Sequence, residues 1–130
     1  MPISPVMPGI HPIGLRCKNF DVTKKFYRDI PGFALIVDSP GLIVFAAGPV
    51  FIAFKIAVPK DTDHPVFTPF EIGLDHIALT CETEEELHRV TRGLVDAGVE
   101  NTGVKRDEGL QKLYVAFKDP DRIQWEFYMR

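Results

Sequence analysis

Two short stretches of the chain share one pattern of alternating apolar residues, PIGLRC at positions 12–17 and HIALTC at positions 76–81. Ile, Leu and Cys recur in register, and each Cys is followed by a stretch with helical character. Apolar residues at every second position predict a strand with one buried face. The repetition predicts two related modules, in which a strand and a helix are followed by three further strands.

Turn and cap residues set the limits of these elements in the first module. Asn19 and Asp21 offer caps for a helix, and Pro31-Gly32 ends it. Apolar runs separated by turns that contain Gly and Pro predict the strands. The predicted elements are a helix at 22–29 and strands at 10–17, 33–38, 42–47 and 50–57.

The second module repeats this order. Thr83 is the predicted N-cap of a helix that runs to about residue 97, and Gly98 ends it. The predicted strands lie at 75–81, 99–104, 112–118 and 123–128. Residues 58–72, between the modules, carry three prolines and no periodicity, which predicts a linker.

We expect a single domain of 130 residues, with module one at about 10–57 and module two at about 73–130. Because one curved sheet cannot cover its own apolar face, two copies are expected to enclose a shared cavity. The predicted fold class is therefore α+β, with two βαβββ modules that form curved mixed sheets around that cavity.

Composition excludes several classes of partner. The net charge is −3 and the sequence has no basic run, so nucleic-acid binding is not expected. No apolar stretch approaches the roughly 18 residues of a membrane span, and the N-terminal residues do not resemble a secretion signal. We therefore expect a cytoplasmic protein without a membrane partner, in which Cys17 and Cys81 are favoured as buried thiols over a disulfide.

Three longer stretches carry a family resemblance: PIGLRCKNFDVTKKFYRDIPGF, GLDHIALTCETEEEL and FKDPDRIQWEFY. They resemble the vicinal oxygen chelate superfamily, which includes glyoxalase I, extradiol dioxygenases and bleomycin-resistance-type proteins. In that family each module supplies one metal ligand from its first strand and one from its last. The resemblance implies His76 and Glu126 in the second module, as metal ligands or as an acid–base pair.

The first module departs from the family pattern. Its first-strand position is Pro12, and matching Phe45 to Phe117 places Phe54 opposite Glu126. Neither Pro12 nor Phe54 has a donor atom. His11 is expected to face away from the cavity unless a bulge re-aims it, and His64 lies in the linker. The resemblance implies one divalent ion (Zn, Fe, Mn, Ni or Co) as cofactor. The alternative is no metal, because three protein ligands are usual and only two are present here.

Four further polar side chains are candidates for substrate binding, namely Arg16, Tyr114, Gln124 and Tyr128. Gln124 and Tyr128 share the face of Glu126, because strand side chains alternate. Arg16 would attract a carboxylate or phenolate if it faces the cavity, and the alternative is a strand-end arginine that reaches solvent.

Two functions remain open. One is an enzyme of the glyoxalase/dioxygenase type, that is, a lyase, an isomerase or a dioxygenase. Its substrate would bear oxygen and could be anionic or aromatic, and the chemistry would be metal-assisted or would use His76 and Glu126 as an acid–base pair. The other is a metal-free protein that sequesters a small-molecule ligand, for which Pro12 and Phe54 are suited. We favour the enzyme. The resemblance also implies a homodimer, with modules paired within one chain or exchanged between two.

Overall fold

A computed structural model describes residues 1–58 and 66–130 of the chain. It divides into two compact units, Met1–Lys60 and Asp61–Arg130, and each contains one βαβββ module. The predicted α+β class with two such modules is therefore confirmed. Cys17 and Cys81 are both buried, and they are not joined by a disulfide.

The first module is a mixed four-stranded sheet with one helix. Its elements are β1 (Ile13–Cys17), α1 (Phe20–Asp29), β2 (Ala34–Ser39), β3 (Leu42–Ala47) and β4 (Val50–Ile56). The strand order is β1-β4-β3-β2, with β1 parallel to β4. The helix begins two residues before its predicted start, because the Asn19 side chain caps it by accepting a hydrogen bond from the N–H of Val22.

Aromatic packing forms the core of this module. Tyr27 on α1 is fully buried, and its ring centroid lies 5.6 Å from that of Phe45 and 5.0 Å from that of Phe54. The helix thus covers the sheet face that carries Phe45 and Phe54. Because side chains alternate along a strand, Gly14 and Ala53 lie on the other face, where they are direct neighbours in the pairing of β1 with β4.

The second module repeats the topology. Its elements are β5 (Ile77–Cys81), α2 (Glu84–Asp96), β6 (Lys105–Asp107), β7 (Lys112–Lys118) and β8 (Gln124–Met129), in the sheet order β5-β8-β7-β6. The Thr83 hydroxyl accepts from the N–H of Glu86, which confirms the predicted N-cap. Trp125, Val115 and Phe117 are buried on one face of the sheet, and Leu87 and Leu94 are buried on α2.

One predicted strand is wrong. Residues 99–104 do not form a strand, and β6 begins at Lys105 instead. The Asn101 side chain donates to the carbonyl of Val99 and accepts from the N–H of Gly103, and Gly103 has a φ of 68°. These local bonds turn the backbone and leave an isolated bridge between Asn101 and Phe117. The first strand begins at Ile13, three residues after its predicted start, and the other predicted bounds agree with the structure to within about two residues.

The turn between β7 and β8 differs from its counterpart in the first module. Asp119 Oδ1 accepts hydrogen bonds from the backbone N–H groups of Asp121 and Ile123, both at 2.8 Å. This turn is one residue longer than the β3–β4 turn, as judged from the pairs Phe45–Ile52 and Phe117–Trp125. The extra residue shifts the last strand of the second module relative to that of the first.

The described part of the chain has no helix that is both long enough and apolar enough to cross a bilayer. Of the predicted linker the structure describes residues 58 and 66–72, and these contain no helix or strand. His64 lies outside the described residues.

Candidate active site

Glu126 occupies the centre of the second sheet, on the face opposite to Trp125. Its direct neighbours are Ala78 on β5 and Ala116 on β7. The side chain is 10% exposed although it lies between two of the smallest residues. A carboxylate flanked by two alanines leaves space on both sides for a ligand to approach.

His76 lies directly before β5 and faces this carboxylate. Its Nε2 is 3.3 Å from Glu126 Oε1, and its Nδ1 is 2.7 Å from Asp75 Oδ1. The imidazole therefore has one carboxylate on each ring nitrogen. When Nδ1 donates to Asp75, Nε2 either accepts the carboxyl proton of Glu126 or donates to its carboxylate, so the two groups can share a proton.

Burial raises the pKa of the Glu126 carboxyl above its ordinary value. The nearby His76 and a hydrogen bond from the Gln124 side chain oppose this effect but do not cancel it. The Gln124 amide is held in turn by Lys118, whose Nζ donates to Gln124 Oε1 at 2.7 Å. Because the lysine ammonium only donates, it must contact the amide oxygen of Gln124. The amide NH₂ of Gln124 therefore points away from Lys118 and is available to donate to Glu126.

Two tyrosines lie on the same face of the sheet. The rings of Tyr114 and Tyr128 are stacked with centroids 5.9 Å apart, and the two residues are paired across β7 and β8. The Tyr128 hydroxyl donates to Asp107 Oδ2 at 2.9 Å. Burial, together with this carboxylate, raises the pKa of Tyr128 to about 12, and the hydrogen bond from Tyr128 lowers the pKa of Asp107.

These residues surround an open cleft of about 560 Å³, which we call the His76 cleft. Residues that line it include His76, Ala78, Asp107, Tyr114, Glu126 and Tyr128. Four residues predicted from the sequence, His76, Glu126, Tyr114 and Tyr128, thus lie around one cavity. Glu126 and Tyr114 also line a second cavity of about 200 Å³, together with Ala116, Lys118 and Gln124, which we call the Lys118 pocket.

Two other residues considered from the sequence, Arg16 and His11, belong to the first unit. Arg16 is exposed, and its Nη1 donates to the carbonyl of Ile56 at 3.0 Å. His11 is exposed, and its ring contacts that of Phe51 edge-on at 4.9 Å. The alternative expected for Arg16 was a strand-end arginine that reaches solvent, and its role in substrate binding stays a prediction.

The match of Phe54 with Glu126 is wrong. Gly14 pairs with Ala53 in the first module as Ala78 pairs with Glu126 in the second, so Ala53 is the equivalent of Glu126. Phe54 is fully buried on the helix-covered face. The longer turn before β8 is the reason, because it offsets the final strands by one residue. Ala53 has no donor atom either, so the first module still lacks this ligand.

Three polar residues of the site were not predicted, namely Asp75, Asp107 and Lys118. Asp75 directly precedes His76 in the sequence, so its position next to a predicted site residue could have indicated it. Lys118 shares the face of Tyr114 by alternation along β7. Its contact with Gln124 depends on the pairing of β7 with β8, which a single sequence does not reveal.

The donor set does not fit a resident metal held by three protein ligands. Within residues 1–58 and 66–130, no group of three or more His, Cys, Asp or Glu side chains is arranged to hold an ion. His76 and Glu126 could act as two cis ligands, but the equivalent positions in the first module are Pro12 and Ala53. This donor set therefore gives no support to a metal-dependent step.

Comparison with known proteins supports the fold. The model of the Glyoxalase/Bleomycin resistance protein/Dioxygenase superfamily matches residues 9–127. The chain belongs to this superfamily. One similar protein is the uncharacterized protein YwkD of Bacillus subtilis (strain 168). It is 22% identical over 129 residues, and the match covers 95% of this chain and 98% of that protein.

Solved structures of superfamily proteins have the same fold. A lactoylglutathione lyase from Agrobacterium tumefaciens superposes with a TM-score of 0.75 at 17% identity, covering 95% of this chain and 94% of that one. A glyoxalase family protein from Enterococcus faecalis gives 0.77 at 24% identity, with 93% and 97% covered. The fosfomycin resistance protein FosX from Listeria monocytogenes gives 0.75 at 19% identity, with 96% and 95% covered.

Proposed function

We propose that this superfamily member is an enzyme that moves a proton at a carbon next to a carbonyl or similar oxygen-bearing group of a small molecule. The observation that carries the proposal is the Asp75–His76–Glu126 arrangement, with contacts of 2.7 Å and 3.3 Å, at the wall of the His76 cleft. It provides a base, a proton-carrying partner and a group that orients that partner.

In the proposed step, the Glu126 carboxylate takes the proton from the carbon. The electron pair of the broken C–H bond forms the new C=C bond of an enolate, and the negative charge moves to the oxygen. His76, protonated and oriented by Asp75, gives its Nε2 proton to that oxygen. With an α-hydroxycarbonyl substrate the result is an enediol. Glu126 then gives its proton to the former carbonyl carbon, while the hydroxyl on the carbon that first lost its proton returns a proton to His76 Nε2 and becomes the new carbonyl, which completes an isomerisation without any net oxidation.

The surroundings of Glu126 favour this role. Burial destabilises the carboxylate anion, so the pKa of Glu126 is raised and the group becomes a stronger base than an exposed glutamate. Ala78 and Ala116 leave the carboxylate accessible from two sides. The stacked Tyr114 and Tyr128 supply an aromatic wall against which a planar enolate can lie.

A metal-free ligand-sequestering protein is the second candidate function. The aromatic pair in an open cleft, and the lack of donor atoms at Pro12 and Ala53, favour it. The two candidates differ in one measurable respect. A sequestering protein binds its ligand without breaking a C–H bond, whereas the proposed enzyme exchanges the proton with solvent.

Proton exchange in D₂O tests the proposal. Dihydroxyacetone and S-lactoylglutathione serve as probes, the second because the name of a structural neighbour contains it. We expect loss of the ¹H NMR signal of the proton next to the carbonyl, and a decrease of about 100-fold or more in Glu126→Gln. The control is Glu82→Gln, since Glu82 forms a surface ion pair with Arg130. An exchange rate that is equal in Glu126→Gln and wild type would refute the role of Glu126.

We also propose a homodimer in which the modules enclose a shared cavity. Support comes from large apolar side chains that this chain leaves exposed, such as Phe70 at 93% and Ile72 at 109%. Light scattering at micromolar concentration would measure the mass. A mass of one chain at every concentration would exclude the dimer.

A further inference from the structure

Lys118 is a cation with spare hydrogen-bonding capacity beside the proposed base. It is half-buried, and its Nζ donates to Gln124 Oε1 at 2.7 Å. An ammonium has three N–H donors, so two remain. Among residues 1–58 and 66–130, no carboxylate oxygen lies within 4.0 Å of Lys118 Nζ. A half-buried positive charge without a counter-charge favours an anionic ligand.

The Lys118 pocket is built on fixed backbone. The segment before β6 runs along the edge of β7, where Thr102 N–H donates to the Ala116 carbonyl and Ala116 N–H donates to Thr102 Oγ1, both at 3.0 Å. Lys118 N–H donates to the Glu100 carbonyl at 3.2 Å. The wall of the pocket is thus tied to the strand that carries Lys118.

Two carboxylates line this pocket, those of Glu100 and Glu126, and each has a partner other than Lys118. Glu126 Oε1 lies 3.3 Å from His76 Nε2. Glu100 Oε2 accepts from Arg122 Nη2 at 3.1 Å. Among the described residues, the unpaired positive charge of the pocket therefore belongs to Lys118. Ala116 lies between Tyr114 and Lys118 on the same face of β7, and its small side chain leaves a passage from the pocket to Glu126.

We infer that Lys118 forms an anion-binding subsite, which holds a carboxylate or phosphate group of the molecule whose C–H bond faces Glu126. This inference rests on the proposed function. Lys118 pairs with Gln124, which is two residues from Glu126 on β8, and two strand residues span about 7 Å. The anionic group and the reacting carbon of the ligand are then separated by a few bonds, so the substrate class is a small anionic carbonyl compound.

Two pairs of probes, each an anion and an uncharged compound of similar structure, test the subsite. Levulinate is compared with 2-pentanone, and dihydroxyacetone phosphate with dihydroxyacetone, by titration of ¹⁵N-labelled protein followed by NMR. In the wild-type protein we expect at least one anionic probe to bind about tenfold or more tightly than its uncharged partner. The levulinate pair reports a carboxylate, and the phosphate pair reports a phosphate.

Three variants assign this preference to Lys118. In Lys118→Met the preference for the anionic probe disappears, whereas in Lys118→Arg it remains. Lys112→Met is the matched control, because Lys112 lies on the same strand but is exposed and donates to the Arg130 carbonyl. Lys118→Gln replaces the methionine variant if that variant does not fold.

The outcomes separate the subsite from the proposed function. Equal affinity for both members of each pair, or a preference that survives in Lys118→Met, overturns the subsite even if dihydroxyacetone undergoes proton exchange that depends on Glu126. A preference that depends on Lys118, without proton exchange of any probe, supports the subsite and contradicts the proposed enzyme.

Discussion

Asp75 Oδ1 lies 2.7 Å from His76 Nδ1, on the side of the ring opposite to Glu126. This contact fixes which ring nitrogen faces the proposed base, because a carboxylate accepts only from a protonated nitrogen. His76 directly follows Asp75 in the chain and directly precedes β5. The orientation of the imidazole is therefore set by its neighbour Asp75 and by the start of the strand.

We predict that Asp75→Asn decreases Glu126-dependent proton exchange by about tenfold or more. An amide cannot stabilise the imidazolium, and it allows the ring to adopt the other tautomer. The rate of deuterium incorporation into dihydroxyacetone measures the effect. Asp96→Asn on the exposed end of α2 is the control. Wild-type rates in Asp75→Asn would show that the contact has no role in the reaction.

The raised pKa of Glu126 has a consequence for stability. A carboxyl whose pKa is higher in the folded than in the unfolded state stabilises the fold at low pH, and this contribution is lost as pH rises through the folded pKa. We therefore predict that Glu126→Gln has a higher Tm than wild type at pH 7, and that the difference decreases toward about pH 4. Calorimetry across this range measures it. A Tm difference that is constant with pH would contradict the assignment of burial as the main cause.

The sequence is informative where one residue type has one structural effect. The period-two pattern of Ile77, Leu79 and Cys81 and the cap residue Thr83 predict β5 and the start of α2 correctly. His76 and Glu126 were predicted as site residues because both residue types are chemically distinctive at positions where the family resemblance expects ligands, and the structure places them 3.3 Å apart.

Register and local loop chemistry are less accessible to sequence. The match of Phe54 with Glu126 assumed turns of equal length, and one extra residue before β8 was sufficient to make it wrong. Residues 99–104 contain two valines, but side-chain bonds of Asn101 and the positive φ of Gly103 outweigh that propensity. Both errors arise from interactions that depend on the neighbouring strand or on backbone geometry.

The corrected register gives a stability test in the first module. Phe54 is fully buried against Tyr27, whereas Ala53 lies on the opposite face and is half-buried. We predict that Phe54→Ala lowers the free energy of unfolding by about 3–5 kcal/mol. Ala53→Ser should lower it by less than about 1 kcal/mol. Urea unfolding of the two variants makes the comparison, and equal losses would indicate that the register is incorrect.

The contact between Tyr128 and Asp107 predicts a pH dependence of stability opposite in sign to that of Glu126. The hydrogen bond from Tyr128 holds the pKa of Asp107 below its ordinary value of 3.8, so it stabilises the fold above that value and is lost as pH falls through the lower, folded pKa. In Tyr128→Phe we expect a lower Tm than wild type at pH 7 and a smaller difference at about pH 2.5. Thermal unfolding followed by circular dichroism measures both. A difference that grows in acid would contradict the contact.

The donor set leads to a prediction about metal content. With two donors in the second module, and Pro12 and Ala53 at the equivalent positions of the first, the chain should not retain a divalent ion through purification. We expect less than about 0.1 equivalent of Zn, Fe, Mn, Ni or Co in protein purified without chelator, and unchanged proton exchange after EDTA treatment. Elemental analysis of wild type and His76→Ala makes the measurement. A stoichiometric metal that is absent from His76→Ala would show that the site gains a further ligand. It would also replace the proposed acid–base catalysis by Glu126 and His76 with metal-assisted chemistry.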